Sequence, residues 1–285
     1  MINIFFVYAI TIKDFKLIDI AIENNIPPAY IESNEYYSVY KLILDNGDRT
    51  LLEYSLKKNI AFIDHYIEFP LWNEIHYAMK KSILWSLPVF EKYMRINDSY
   101  LTVRVEGGGG YHTNPLMMSI YSGNPKTVEY YLNKGIDPNS LYIPFRFGEF
   151  RYLTALDLCY EIKLSKTGYS NTDYSLINSI IDIVKVSGGR TVVEILNDKK
   201  SYAYFLNFGK IIRTAIIIDT DARLMEKPNT DSKIIDSFKL DEKIIMLEVF
   251  ADPTLPKNDF IYWYKIIRKN EQIGWVFSQY VKEEY

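Results

Sequence analysis

The stretch NPLMMSIYSGNPKTVEYYLNKGIDPN, Asn114 to Asn139, decides how the first two thirds of this chain read. Pro115 suits the first turn of a helix, where its missing N–H would have had no intrahelical partner. Leu116, Ser119 and Ile120 follow at helical spacing, and Gly123 closes that short helix. A second helix carries Val128, Tyr131 and Leu132 on one face and ends at Gly135. Two helices this short cannot bury their apolar faces alone, so the pattern demands stacked neighbours.

Those neighbours are sought on both sides. Downstream, Thr154-Ala155-Leu156-Asp157-Leu158-Cys159 repeats the opening of the first helix. Ile181, Val184 and Gly188 restore the second, after a polar insertion between Glu161 and Asn178. Gly188-Gly189-Arg190-Thr191 with Val193 and Leu196 reads as a closing unit. Upstream, Thr50 to Leu56 reads as a first helix with Asn59 in the glycine slot, and Ile63, Tyr66 and Ile67 as its partner. Ile18, Ala21, Ile22 and Asn25 read as a leading second helix, and Ile75 to Ser82 as an eroded unit out of register. The residues Asn114 to Asn139 resemble the ankyrin pattern T-P-L-H-x-A-A-x-x-G-x-x-x-x-V-x-x-L-L-x-x-G-A-D-x-N. They depart from it at Asn114, Met117, Ser119, Ile120, Tyr131 and Ile136. The resemblance implies an all-α ankyrin-repeat solenoid over residues 1–205, with some repeats degenerate.

Periodicity changes near Arg213. Ala215-Ile216-Ile217-Ile218, Ile244-Ile245-Met246-Leu247, Tyr262 to Ile267 and Gly274-Trp275-Val276 are strand-sized blocks. Lys227-Pro228-Asn229, Leu240-Asp241-Glu242 and Lys269-Asn270-Glu271 punctuate them as turns. These residues resemble bacterial SH3-like domains. Ala222-Arg223-Leu224 with Lys227-Pro228-Asn229 fits the early L-N-V-R-x-x-P-S segment, and Lys233 to Glu242 fits K-V-I-G-x-L-x-x-G-D. Trp263-Tyr264-Lys265-Ile266 fits W-Y-K-V, and Gly274-Trp275-Val276 through Tyr280-Val281 fits G-W-V-x-x-x-Y-L. The resemblance implies a small all-β barrel over 214–285 after a linker at 206–213, and an accessory binding module of the kind found in bacterial envelope or cell-wall proteins. Tyr202, Tyr204, Phe205 and Phe208 make the connection from Lys199 to Lys210 apolar, and docking of the two domains through it is expected.

Composition narrows the function. At 285 residues with 48% hydrophobic content, two domains with real cores are expected. Thirty-three basic and 36 acidic residues give a net charge of −3 with no basic block, which argues against a nucleic-acid partner. The single cysteine, Cys159, excludes an intrachain disulfide and sits where a small buried residue belongs. His65, His76 and His112 hold no metal-ligand spacing, and a structural role is expected for each. No nucleophile-elbow sequence is present. The Gly107 to Gly110 run lacks the Lys-Ser or Lys-Thr of a phosphate loop. No apolar run approaches the roughly 20 residues of a membrane span. Ile2 to Ile12 lacks a basic n-region and reads poorly as a leader. The compartment stays open: cytoplasmic as written, periplasmic or cell envelope if a leader has been removed.

No catalytic residues, metal or cofactor are therefore expected; the reading is of a non-catalytic interaction or scaffold protein. Its partner would be a protein or peptide, cell-wall peptides included, with the SH3-like module either binding such a ligand or capping the solenoid. An inhibitor or immunity protein that blocks a toxin or hydrolase is the alternative. Candidate binding residues on the ankyrin finger and inner helix are Tyr111, Met118, Tyr121, Ser122, Tyr142, Phe145, Arg146, Phe147, Phe150 and Tyr152. Aromatic and arginine side chains of this kind dominate interface hot spots, although the same loop could instead fold back and pack. On the barrel, Tyr262, Tyr264, Phe277 and Tyr280 are the candidate groove, with Trp263 and Trp275 expected in the core. The 25 tyrosines suit either interfaces or half-buried packing.

Overall fold

In the computed structural model the described residues are 4–24, 26, 29–32, 35–58, 72–94, 101–105, 109–143, 150–164, 175–198, 201–207, 212–251 and 262–284. They form two compact units, each discontinuous in sequence. The first comprises 1–138 and 158–189; the second comprises 139–157 and 190–285.

The first unit is built from short helices that come in pairs. Helices α1 (Ile4–Thr11) and α2 (Phe15–Glu23) pack together, and so do α3 (Val39–Asp45) and α4 (Arg49–Lys57). Helix α5 (Trp72–Lys80) leads through a 3-10 turn at Leu84–Ser86 into α6 (Leu87–Met94). Helices α7 (Pro115–Tyr121) and α8 (Pro125–Asn133) form the pair read first from the sequence. Beyond them lie α9 (Ala155–Leu164), which straddles the two units, and α10 (Ile177–Val186). Helix α3 packs on α1 and α5, α5 on α7, α4 on α6, and α8 on α10.

A shared turn explains the pairing. The residue that ends the first helix has left-handed backbone in four places: Lys13 (φ 56°), Gly47 (φ 68°), Ser82 (φ 56°) and Gly123 (φ 71°). In three of them an Asx residue follows at once and caps the next helix. Asp14 accepts from the Lys16 and Leu17 N–H groups, Asp48 from Leu51, and Asn124 from Lys126. At the fourth, Ile83 follows Ser82 and offers no side-chain cap, and the chain enters the 3-10 turn instead.

The expected all-α ankyrin-type solenoid is overturned here. The first unit is a mixture of small helices, none longer than ten residues among those described, interrupted by two hairpins. Strands β1 (Ala29–Glu32) and β2 (Glu35–Ser38) pair, as do β3 (Leu101–Val105) and β4 (Gly109–Thr113). The leading helices of the pairs begin at 4, 39, 72, 115 and 155, with no constant interval. The turn chemistry fixes each pair locally, but nothing in it imposes the regular ~33-residue period of the ankyrin array. The register upstream also shifts. Thr50 to Leu56 belongs to α4, the second helix of its pair, which is entered through the turn at Gly47 and Asp48. Residues Asn59 to Ile67 lie outside the described residues.

The second unit is an antiparallel sheet flanked by two short helices, α11 (Val192–Leu196) and α12 (Ser201–Leu206). Its strands are β5 (Phe150–Arg151), β6 (Thr214–Ile217), β7 (Arg223–Met225), β8 (Ile234–Ser237), β9 (Lys243–Ala251), β10 (Tyr262–Arg268), β11 (Ile273–Phe277) and β12 (Val281–Glu284). Neighbours run β12-β6-β9-β10-β11-β7-β8, with β5 added on β9. This fits the SH3-like expectation. Ile244, Ile245, Met246 and Leu247 are all buried, which explains an apolar run without alternation: both faces are covered there. Arg268, 7% exposed, is held by Glu242 at 2.5 and 2.8 Å and by Asp236 at 2.8 Å. A buried guanidinium needs such paired acceptors.

The sequence boundary at 205–214 follows the change of periodicity, whereas the structural grouping follows packing. Tyr142 and Leu153 exchange backbone hydrogen bonds at 2.8 Å, closing the 140–153 loop. Asp157 accepts from the Thr154 and Val192 N–H groups, and Asn139 accepts from the Arg190 N–H at 2.7 Å. The Tyr204 hydroxyl donates to the Asn139 carbonyl at 2.6 Å. These bonds tie 139–157 to the segment that enters the sheet.

Candidate functional site

Opposed residues in an antiparallel pair project from the same face, so the register of β9, β10 and β11 fixes what that face displays. Phe250, Trp263 and Phe277 form one row across the three strands; Glu248, Lys265 and Trp275 form the next. The rings meet at aromatic contact distances. Trp263 lies 5.0 Å from Phe277, Phe250 lies 6.1 Å from Trp275 edge-on, and Phe277 lies 6.2 Å from Tyr280. Phe250 is 37% exposed and Trp263 only 3%. Trp275, Phe277 and Tyr280 are half-buried. The result is an aromatic floor with open edges.

The opposite face of the same strands is the core. Tyr264, Ile266 and Val276 are buried there. Gly274 is glycine because a Cβ would stand 2.7 Å from the Met225 carbonyl oxygen and 2.8 Å from Leu224. That close approach lets β7 pair with β11 beside Trp275.

Charge enters beside the aromatic rows. The Lys265 ammonium lies 3.8 Å from the Glu248 carboxylate and 5.8 Å from the Trp275 ring centre. The outer edge of β9 is shared by two strands. β6 pairs with its first half, from Lys243 to Ile245, and β5 with Glu248 and Val249. β5 is anchored by the Arg213 guanidinium over Phe150 at 4.1 Å and by the Arg213 N–H, which donates to the Tyr152 hydroxyl at 2.8 Å. Tyr152 also packs on Phe205, with ring centres 5.8 Å apart. Burial pushes the Tyr152 phenol well above its ordinary range, outweighing the lowering influence of Arg213.

The residues expected to bind a partner are dispersed. Met118 and Ser122 are buried in and beside α7 in the first unit, where the Ser122 hydroxyl donates to the Ser119 carbonyl; Tyr121 is half-buried. Tyr111 lies on β4, opposite Val103. Tyr142, Phe150 and Tyr152 are buried within the second unit, so they serve as packing there rather than as open finger surface. Phe145, Arg146 and Phe147 lie outside the described residues. Of the four groove residues, Phe277 and Tyr280 adjoin the aromatic floor. Tyr262 and Tyr264 project to the other side of β10, where Tyr264 is buried with its hydroxyl donating to Glu283 at 3.1 Å. Trp263 is buried as expected, whereas Trp275 opens to the surface. Glu248, Phe250 and Lys265 were not foreseen. The alternation of Glu248 and Phe250 with buried Leu247 and with Val249 is the signal that marks them.

Among the described residues, no cluster of His, Cys, Asp or Glu is arranged to hold a metal ion, and no helix is long and apolar enough to cross a membrane. Cys159 is buried in α9. His76 is half-buried in α5. Burial lowers its pKa, opposed by a hydrogen bond to the Tyr121 backbone.

Residues 220–282 match the family model described as a bacterial SH3 domain. The C-terminal module is similar to a bacterial SH3 domain. The match runs from the turn before β7 into β12 and so contains the aromatic floor; that likeness is to a binding module of peptide or cell-wall type. No ankyrin-repeat family model matches the first unit. No curated protein and no solved structure matches the chain.

Proposed function

We propose that this chain is a non-catalytic binding protein whose SH3-like module captures an extended peptide, cell-wall peptides included, on the outer face of β9, β10 and β11. The observation that carries the reading is the open aromatic floor: Phe250, Trp275, Phe277 and Tyr280 stay accessible around a buried Trp263. Large rings left at a surface cost solubility and mark contact sites. Rings held rigidly by their neighbours bind with little loss of conformational freedom.

The test uses the full chain with purified peptidoglycan, its isolated peptide fraction and its glycan fraction. The expected result is retention on peptidoglycan and competition by the peptide fraction alone. Phe277→Ala and Trp275→Ala each weaken binding by about 30-fold, the cost of a typical hot-spot truncation. Binding that survives both substitutions, or that follows the glycan fraction, overturns the reading.

A further inference from the structure

The row of side chains beside the aromatic floor holds a cation that belongs to the protein itself. Glu248 on β9 stands opposite Lys265 on β10, and Lys265 stands opposite Trp275 on β11. Opposed residues share a face, so carboxylate, ammonium and indole lie side by side, next to the row of Phe250 and Phe277. The Lys265 ammonium is 5.8 Å from the centre of the Trp275 ring and 3.8 Å from the Glu248 carboxylate. An aromatic ring draws cations to its face and not to its edge, and the Lys265 ammonium stands over the face, inside the roughly 6 Å reach of that attraction.

We infer that the floor is selective against cations: it takes a peptide whose side chain at Trp275 is uncharged, and Lys265 is the residue that determines this. The inference rests on the proposed binding face. Three features carry it. Indole is the best cation partner among aromatic rings, and with Trp263 only 3% exposed, half-buried Trp275 is the indole of the floor that a ligand reaches. A ligand ammonium aimed at that ring meets the Lys265 ammonium in its place, and the two repel. It is left with Phe250, Phe277 and Tyr280, poorer partners for a cation. Glu248, the anion opposite Lys265, already faces that ammonium, so it offers a second cation little. Finally, the Lys265 side chain is 31% exposed. Its charge therefore stands where a ligand arrives, while an uncharged side chain can pack along its methylene stem without displacing the ammonium.

The experiment is a calorimetric and NMR titration of the full chain with two capped peptides, identical except for lysine or acetyl-lysine beside one Phe. Acetylation removes the charge and keeps the length of the side chain. The acetyl-lysine peptide is expected to bind about tenfold more tightly at low salt, with the gap narrowing in high salt as screening sets in. Lys265→Met keeps an apolar stem and clears the ring face of charge. It should improve binding of the lysine peptide about threefold and shrink the gap by about the same factor, in line with an exposed cation–π contact. Lys265→Arg keeps the charge and should keep the gap. A merely structural role would shift both peptides together, and a ratio unmoved in Lys265→Met overturns the inference. Equal binding of the two peptides by the unaltered chain, abolished for both by Phe277→Ala, overturns the selectivity while leaving the binding face standing. If neither peptide shifts the Trp275 indole signal, the face and the selectivity fall together.

Discussion

The α7–α8 pair and strand β5 are near neighbours in sequence, yet they are made by different physics. The pair is local. Asn114 caps α7 by accepting from the Met117 N–H at 2.9 Å, Pro115 opens it, and Gly123 and Gly135 (φ 71° and 86°) terminate the two helices. Every one of those roles is fulfilled by a residue within a few positions of the groups it serves. β5 is the reverse. Two residues long, it exists because β9 offers free backbone groups and because Arg213 and Phe205 close over Phe150 and Tyr152. Local signals set where a chain turns; only distant partners set which sheet it joins.

The largest effects should separate these two modes. Tyr152→Ala removes a ring that is 3% exposed and should cost the second unit about 3–5 kcal/mol, while Leu116→Ala should cost the first about 2–5 kcal/mol. Residue-resolved hydrogen exchange on each variant assigns the loss. If Tyr152→Ala loosens α7 and α8 and leaves β9 untouched, the contrast is broken. Next in size is Gly274→Ala, whose Cβ meets the Met225 carbonyl; it should lower stability by about 1–3 kcal/mol, read from urea midpoints. An unchanged midpoint would show that β7 moves freely. Smaller again, Asn114→Ala should cost about 1 kcal/mol and Asn114→Asp almost nothing, since aspartate caps equally well.

Mild acid sharpens the same contrast through the first unit. The Asp48 pKa is lowered, chiefly by its bond to Lys13 and then by the Leu51 N–H; burial lowers that of His76. Both groups have folded pKa values below their unfolded ones, so in that window the unfolded chain binds more protons and stability falls as pH drops. His76 acts first, below its ordinary value of 6.5, and Asp48 below 3.8. His76→Gln should flatten the upper limb of the pH–stability curve for α5 and α7 amides; an unaltered limb would assign it elsewhere.

Sequence reading recovered the parts that local chemistry writes plainly. Gly123 and Gly135 mark left-handed termini that favour glycine, and Gly274-Trp275-Val276 marks a strand that tolerates no Cβ at Gly274. It missed the turns at Lys13 and Ser82 because side chains there adopt the same left-handed backbone without glycine to announce it. Lys13 is retained by an ion pair to Asp48 at 2.7 Å, and Ser82 by the Asn124 amide, which donates to its hydroxyl at 2.5 Å. Such tertiary compensation leaves no local trace. Reading Thr50 to Leu56 as a leading helix overlooks the turn at Gly47 and Asp48 before it, and that displacement shifts the upstream register toward a regular array. Size alone points Trp275 to the core, whereas its pairing with Lys265 puts it, half-buried, on the open face.

Native-state hydrogen exchange of the full chain tests the contrast most directly, because it requires β5 to be held in the sheet by its distant partners. The amides of Phe150 and Arg151 should exchange with the same opening free energy as those of Glu248 and Val249. Exchange of Phe150 and Arg151 at the rate of an unprotected loop, or in step with α8 instead of β9, would contradict it.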